Sequence, residues 1–207
     1  MPTYTLKQAS ELLQTKQISA VELATEYLNA IDAQNATING YITLERDKTL
    51  AEAAAADAKI AAGSAHALTG VPVAFKDIFC QTGWRTACAS KMLDNFIAPY
   101  TATVVQNLLD VGMVTLGRTN MDEFAMGSIN GNCIYGAVHN PFNHGHVAGG
   151  SSGGSAAVVG RTFIPFCVGF GHGRLNSPTC FTLRHYRLET DLWRGVAFRY
   201  DCLRFKF

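Results

Sequence analysis

The sequence lacks several features that would assign a protein class at once. Its formal net charge is only +1 over 207 residues, so bulk electrostatics do not point to a nucleic-acid partner. No apolar run reaches the roughly 18–20 residues of a membrane span, so we expect no membrane association. The first residues also lack the basic and apolar regions of a signal peptide, which predicts a cytoplasmic protein.

The cysteines show no metal-binding pattern. No CxxC pair occurs among the six, so we predict reduced thiols and no metal site. Hydrophobic residues make up 48% of the chain and charged residues 16%, a balance that supports a buried core and argues against disorder.

Helical patterns alternate with short apolar runs typical of strands. Helices are predicted at residues 5–15, from Ser19 onward, at 46–62 and at 101–111, and strands at 40–44, 70–75 and 113–117. Ser19 and Glu22 have the spacing of a capping box, which marks the start of a helix. The alternation predicts an α/β fold with a mostly buried central sheet.

The stretch VAGGSSGGSAAVVG, at residues 147–160, allows three interpretations. A flexible linker would be polar throughout, whereas this loop runs into an apolar, helix-prone segment. A phosphate cradle would need the G-x-x-x-x-G-K-[ST] pattern, and no lysine follows the loop. The third interpretation, a housing for a catalytic serine, depends on the surrounding segments.

Five segments occur in an order that closely resembles the amidase signature family. They are GVPVAFKD (70–77), PYTATVVQNLLDVG (99–112), GRTNMDEFAMGS (117–128), GAVHNPFN (136–143) and GGSSGGSAA (149–157). The resemblance covers residues 1–166. It implies the N-terminal portion of an amidase-signature α/β/α sandwich with a mixed central sheet.

Within that family, the NMDEFAMGS and HNPFN segments look most like the glutamine-hydrolysing A subunits of glutamyl-tRNA(Gln)/aspartyl-tRNA(Asn) amidotransferases. The resemblance implies glutamine as substrate and a heterotrimer with the B and C subunits, through which charged tRNA is reached. It implies no cofactor in this polypeptide, with ATP and Mg used by the partner subunit. Two alternatives stay open: an amidase of small amides, and a non-catalytic fragment that binds the partner subunits.

The resemblance also assigns candidate site residues. Family members use a Ser–cis-Ser–Lys triad, in which motif position makes Lys76 the lysine and Ser151 the cis-serine. A lysine is a base only when neutral, and Lys76 ends an apolar strand, where burial would lower its pKa. Asp77 would point to the opposite face of the strand. The candidates for substrate binding are Ser128, Gly149, Gly150 and Ser152.

Further residues in or near these motifs are expected to be structural. We expect Ser152 and Ser155 to bond the loop backbone or the start of the following helix. Asp122 and Met126 are likewise interpreted as structural residues. The catalytic candidates are therefore Lys76 and Ser151.

The nucleophile that the family pattern requires is missing. It belongs to a DTGGS motif whose serine falls at Leu175, where the chain reads GHGRL (171–175), so the oxyanion donors of that glycine segment are missing too. Codons for residues 168 onward, read one nucleotide later, permit LGSDTGGSI. We therefore expect residues 167–207 to be an out-of-frame tail without an evolved fold, which truncates the domain and leaves the chain inactive.

Overall fold

The core of the fold is a four-stranded mixed sheet. The computed structural model describes residues 4–160 and 164–169. Its strands, in the spatial order β1-β3-β2-β4, are β1 (Tyr41–Thr43), β3 (Val114–Thr119), β2 (Pro72–Lys76) and β4 (Cys167–Val168). Strand β2 runs parallel to β3 and β4, whereas β1 is antiparallel to β3. The predicted α/β fold class with a mixed sheet is confirmed.

Five helices surround this sheet in the described residues. They are α1 (Leu6–Gln14), α2 (Ala20–Ile38), α3 (Arg46–Ala61), α4 (Thr103–Asp110) and α5 (Gly153–Gly160). The predicted capping box is confirmed, because the Ser19 hydroxyl accepts the Glu22 backbone N–H and the Glu22 carboxylate accepts the Ser19 backbone N–H. Short 3₁₀ turns lie at Lys91–Leu93 and Glu123–Ala125.

The two central strands are buried along their whole length. Every residue of β2 and β3 is buried, as expected for neighbouring parallel strands with both faces covered. In their register Phe75 pairs with Arg118 and Lys76 with Thr119. Since side chains alternate along a strand, Lys76 and Thr119 share the face toward α5, and Phe75 and Arg118 share the opposite face.

The sheet extends past the boundary predicted at residue 166. Cys167 and Val168 form β4 and pair in parallel with Ala74 and Phe75. A short apolar pair is sufficient to extend the edge of the sheet beside β2. Residues 170–207, which include Leu175 and nearly all of the predicted tail, lie outside the described residues.

The described part of the chain contains no helix that combines the length and apolarity of a bilayer span.

Candidate active site

The side chains of Lys76 and Ser151 meet in the interior of the fold. Lys76 ends β2 and is fully buried. Its ammonium donates to the Ser151 hydroxyl over 2.8 Å and to the Ser152 hydroxyl over 2.8 Å. The structure thus brings together two residues that are 75 positions apart and were both predicted from the motifs.

The glycine-serine loop has a backbone that requires glycine. Gly149 has a φ of +83°, in the region that disfavours side chains, and the Gly150–Ser151 peptide bond is cis. A Cβ on Gly150 would lie 2.2 Å from Asp122 Oδ2 and 2.8 Å from the Ser128 carbonyl carbon. Ser128 is exposed, and its backbone lies against the loop. The candidate substrate-binding residues therefore lie around Ser151.

Burial makes Lys76 a proton acceptor near neutral pH. It lowers the pKa of Lys76 from an ordinary value of 10.5 to about 7, and the nearby groups of Asp122, Cys88 and Cys167 oppose that shift. A substantial fraction of the amine is then neutral near pH 7. Because a hydroxyl both donates and accepts, Ser151 can pass a proton to the neutral amine.

The hydroxyls of the other two serines of the loop also make contacts that the sequence did not predict. The Ser152 hydroxyl contacts Lys76, in addition to the bond from the Ala156 N–H to the Ser152 carbonyl at the start of α5. The Ser155 hydroxyl pairs with Thr119 Oγ1 of β3 over 2.7 Å. The reason is the docking of α5, which turns its first residues toward the face of the sheet that carries Lys76 and Thr119.

Within residues 4–160 and 164–169, no group of three or more His, Cys, Asp or Glu residues could hold a metal ion. The described cysteines, at positions 80, 88, 133 and 167, are free thiols.

The segment that carries this site matches a known family. A family model for amidases matches residues 22–172, which include Lys76 and the whole glycine-serine loop. The chain belongs to the amidase family. The ordered motifs that predicted this membership are confirmed.

This family assignment agrees with the curated relatives and solved structures that resemble this chain. The chain is 73% identical over 173 residues to the A subunit of glutamyl-tRNA(Gln) amidotransferase from Neisseria meningitidis serogroup C, covering 84% of this chain and 36% of the relative. The crystal structure of the A subunit of glutamyl-tRNA(Gln) amidotransferase from Thermotoga maritima matches with a TM-score of 0.62 and 29% identity. The match covers 78% of this chain and 32% of that protein. A bacterial aryl acylamidase of the amidase signature family matches with a TM-score of 0.72 and 27% identity, over 78% of this chain and 34% of that protein. The chain spans about a third of the length of the curated relatives it matches.

The sequence predicts a structural role for Asp122 but no connection to the site. The Asp122 backbone N–H donates to the Ser151 carbonyl over 3.1 Å. Its carboxylate accepts the backbone N–H groups of Asn130 and Asn132 over 3.1 and 3.3 Å. No spacing in one sequence reveals such contacts, because they join separate turns through tertiary packing.

Proposed function

We propose that this chain carries two of the three members, Lys76 and Ser151, of the catalytic triad of a glutamine-hydrolysing A subunit of a tRNA-dependent amidotransferase. The 2.8 Å contact between Lys76 Nζ and Ser151 Oγ is the observation that carries the proposal. The 73% identity to the Neisseria meningitidis protein supports this class over an amidase of small amides.

In the complete enzyme, the proposed reaction runs through a proton relay. The nucleophilic serine gives its proton to Ser151, which gives its own proton to neutral Lys76. The serine oxygen attacks the side-chain carbonyl carbon of glutamine, the carbon–nitrogen bond breaks, and the returning proton leaves with ammonia. Water then hydrolyses the acyl-enzyme through the same relay and releases glutamate.

The ammonia is proposed to serve a cytoplasmic heterotrimer that includes the B and C subunits. The B subunit would use ATP and Mg to activate glutamyl- or aspartyl-tRNA and would amidate it with the ammonia. The C subunit would stabilise the pair. No cofactor is assigned to the present chain.

The chain as it stands is proposed not to hydrolyse glutamine. Leucine occupies position 175, where the family pattern requires the nucleophile, and position 175 lies outside the described residues. Loss of the attacking group lowers the rate of a serine hydrolase by about six orders of magnitude. In the proposed mechanism Lys76 and Ser151 relay a proton, and neither forms the bond to the substrate.

The test compares two gene products for release of glutamate and ammonia from glutamine. One is the present chain, and the other restores the shifted frame by removal of one T from the codons for Phe166 and Cys167. With the B and C subunits present, we expect turnover from the restored product only, and none from its Lys76→Ala variant. Turnover of small amides but not glutamine would instead identify a general amidase. Capture of the B and C subunits by the present chain, without turnover, would identify a binding fragment.

A further inference from the structure

One segment, residues 120–130, packs against both ends of the glycine-serine loop. A Cβ on Gly150 would lie 2.2 Å from Asp122 Oδ2, and a Cβ on Gly153 would lie 2.7 Å from Asn130 Oδ1. The side chains of Asp122 and Asn130 therefore occupy the space that side chains on these two glycines would need. Ser151 and Ser152 lie between the two contacts.

Asp122 is at the centre of this packing. It is almost completely buried, and each of its carboxylate oxygens accepts one backbone N–H, from Asn130 and from Asn132. Its own N–H donates to the Ser151 carbonyl. The two bonds hold the Asp122 carboxylate against the loop at residues 127–132 and fix its position.

The same carboxylate is also the neighbouring charge of Lys76. Among the described residues, the groups that interact electrostatically with Lys76 include Asp122, Cys88 of the loop after β2, and Cys167 of β4. Burial raises the pKa of Cys88 to about 11 and that of Cys167 to about 12, so both thiols are neutral near pH 7. Of these three groups, Asp122 is the carboxylate that can stabilise a protonated Lys76.

We propose that Asp122 is a positioning residue that fixes Gly150 and Ser151 through the loop at residues 127–132 and serves as the counter-charge of Lys76. In a relay, Lys76 must be neutral to accept a proton and must then hold it. A fixed carboxylate near Ser151 supports the second state while burial supports the first. This inference goes beyond the proposed function, because the ionisation of Lys76 can be measured without turnover.

The experiment is a pH titration of the Lys76 Cε resonance in the full chain, labelled with ¹³C-lysine. The resonance is assigned by its loss in Lys76→Met. Asp122→Asn keeps the shape and removes the charge, and we expect it to lower the midpoint by about one pH unit. The matched control is Asp110→Asn, at an exposed residue at the end of α4, and it should leave the midpoint unchanged. Equal midpoints in Asp122→Asn and in the unchanged chain would overturn the counter-charge.

A second variant separates the packing of residues 120–130 against the loop from the charge of Asp122. Asn130→Ala removes the side chain that lies against Gly153 and keeps the carboxylate. We expect faster amide hydrogen exchange at residues 149–155 and an unchanged Lys76 midpoint. If Asn130→Ala shifted the midpoint as much as Asp122→Asn, the role of Asp122 would be structural only. If Asp122→Asn does not fold, the double variant Lys76→Met/Asp122→Asn decides: recovery of the fold supports charge pairing, and no recovery overturns it.

Discussion

Lys76 and Asp77 are consecutive in the chain, yet their side chains bond to opposite sides of strand β2. Lys76 donates to Ser151, whereas Asp77 Oδ2 accepts the backbone N–H groups of Ala87 and Ala89 over 3.1 Å each. Burial acts on both: it lowers the pKa of Lys76 to about 7 and raises that of Asp77 to about 6. The two groups are therefore expected to affect stability in separate pH ranges.

Lys76 should make the folded state more stable as the pH rises from about 7 to 10.5. In that range the unfolded chain still holds the lysine proton that the folded chain has lost, so the free energy of unfolding increases by up to about 1.4 kcal/mol per pH unit. Lys76→Met should remove this contribution. Urea denaturation of both chains between about pH 7.5 and 10 measures it, and parallel curves would contradict the burial of a neutral lysine.

Asp77 should make the folded state less stable as the pH rises through the acid range. Its ordinary pKa is 3.8 and its folded value is about 6, so the folded chain holds a proton that the unfolded chain has lost between these values. The contribution of Asp77 to stability is complete below pH 3.8 and is lost as the pH rises through about 6. Asp77→Asn keeps an acceptor for Ala87 and Ala89. It should remove the dependence of the free energy of unfolding on pH between these two values. The difference between the two chains isolates Asp77 from the other carboxylates.

Local patterns predicted the elements, and ordered motifs predicted the pairing of Lys76 with Ser151. The capping box at Ser19 and the alternation of helix and strand are encoded over a few residues, so one sequence shows them. The approach of Asp122 to Gly150 is determined by how two loops pack against each other. The residue types at these positions do not predict that contact. The sequence likewise predicts that Ser155 bonds the loop backbone or the helix start, whereas the docking of α5 turns its hydroxyl toward Thr119.

The pairing of β4 with β2 could not be predicted from the sequence either. Cys167 and Val168 open the segment predicted to be an out-of-frame tail, and nothing in their local pattern distinguishes a strand from a tail. Their place beside Ala74 and Phe75 depends on the open edge that β2 offers. Long-range β pairing of this kind is determined by the partner strand more than by the residues that join it.

Arg118 is expected to be essential to the face of the sheet behind Lys76. Its guanidinium is fully buried, lies 5.5 and 5.0 Å from the ring centres of Phe75 and Trp84, and donates to Gln81 over 2.9 Å. Burial lowers its pKa only to about 10, so it stays charged and stabilises the Asp77 carboxylate. Arg118→Met should lower the free energy of unfolding by about 3–5 kcal/mol.

The control for Arg118 is Arg46, which forms an exposed ion pair with Asp32. Arg46→Met should lower the free energy of unfolding by no more than about 1 kcal/mol, because water screens exposed pairs. Urea denaturation at about pH 7.5 measures both variants. Losses of similar size would show that Arg118 acts through its aliphatic part alone.

Gly154 provides a test in which two physical effects have opposite signs. Alanine is a better helix former than glycine by about 1 kcal/mol, so propensity alone predicts that Gly154→Ala stabilises α5. A Cβ at this position would lie 2.4 Å from the Asn120 carbonyl oxygen and 2.7 Å from that of Gly40, both of which are backbone atoms that cannot rotate away. We therefore expect a net loss of about 1–3 kcal/mol from overpacking. Gly145→Ala is the control, since its Cβ would approach only the Asn143 side chain, at 3.3 Å. A Gly154→Ala chain at least as stable as the parent in urea would show that α5 does not dock on the turn after β3, and the placement of Ser151 beside Lys76 would then lack its support.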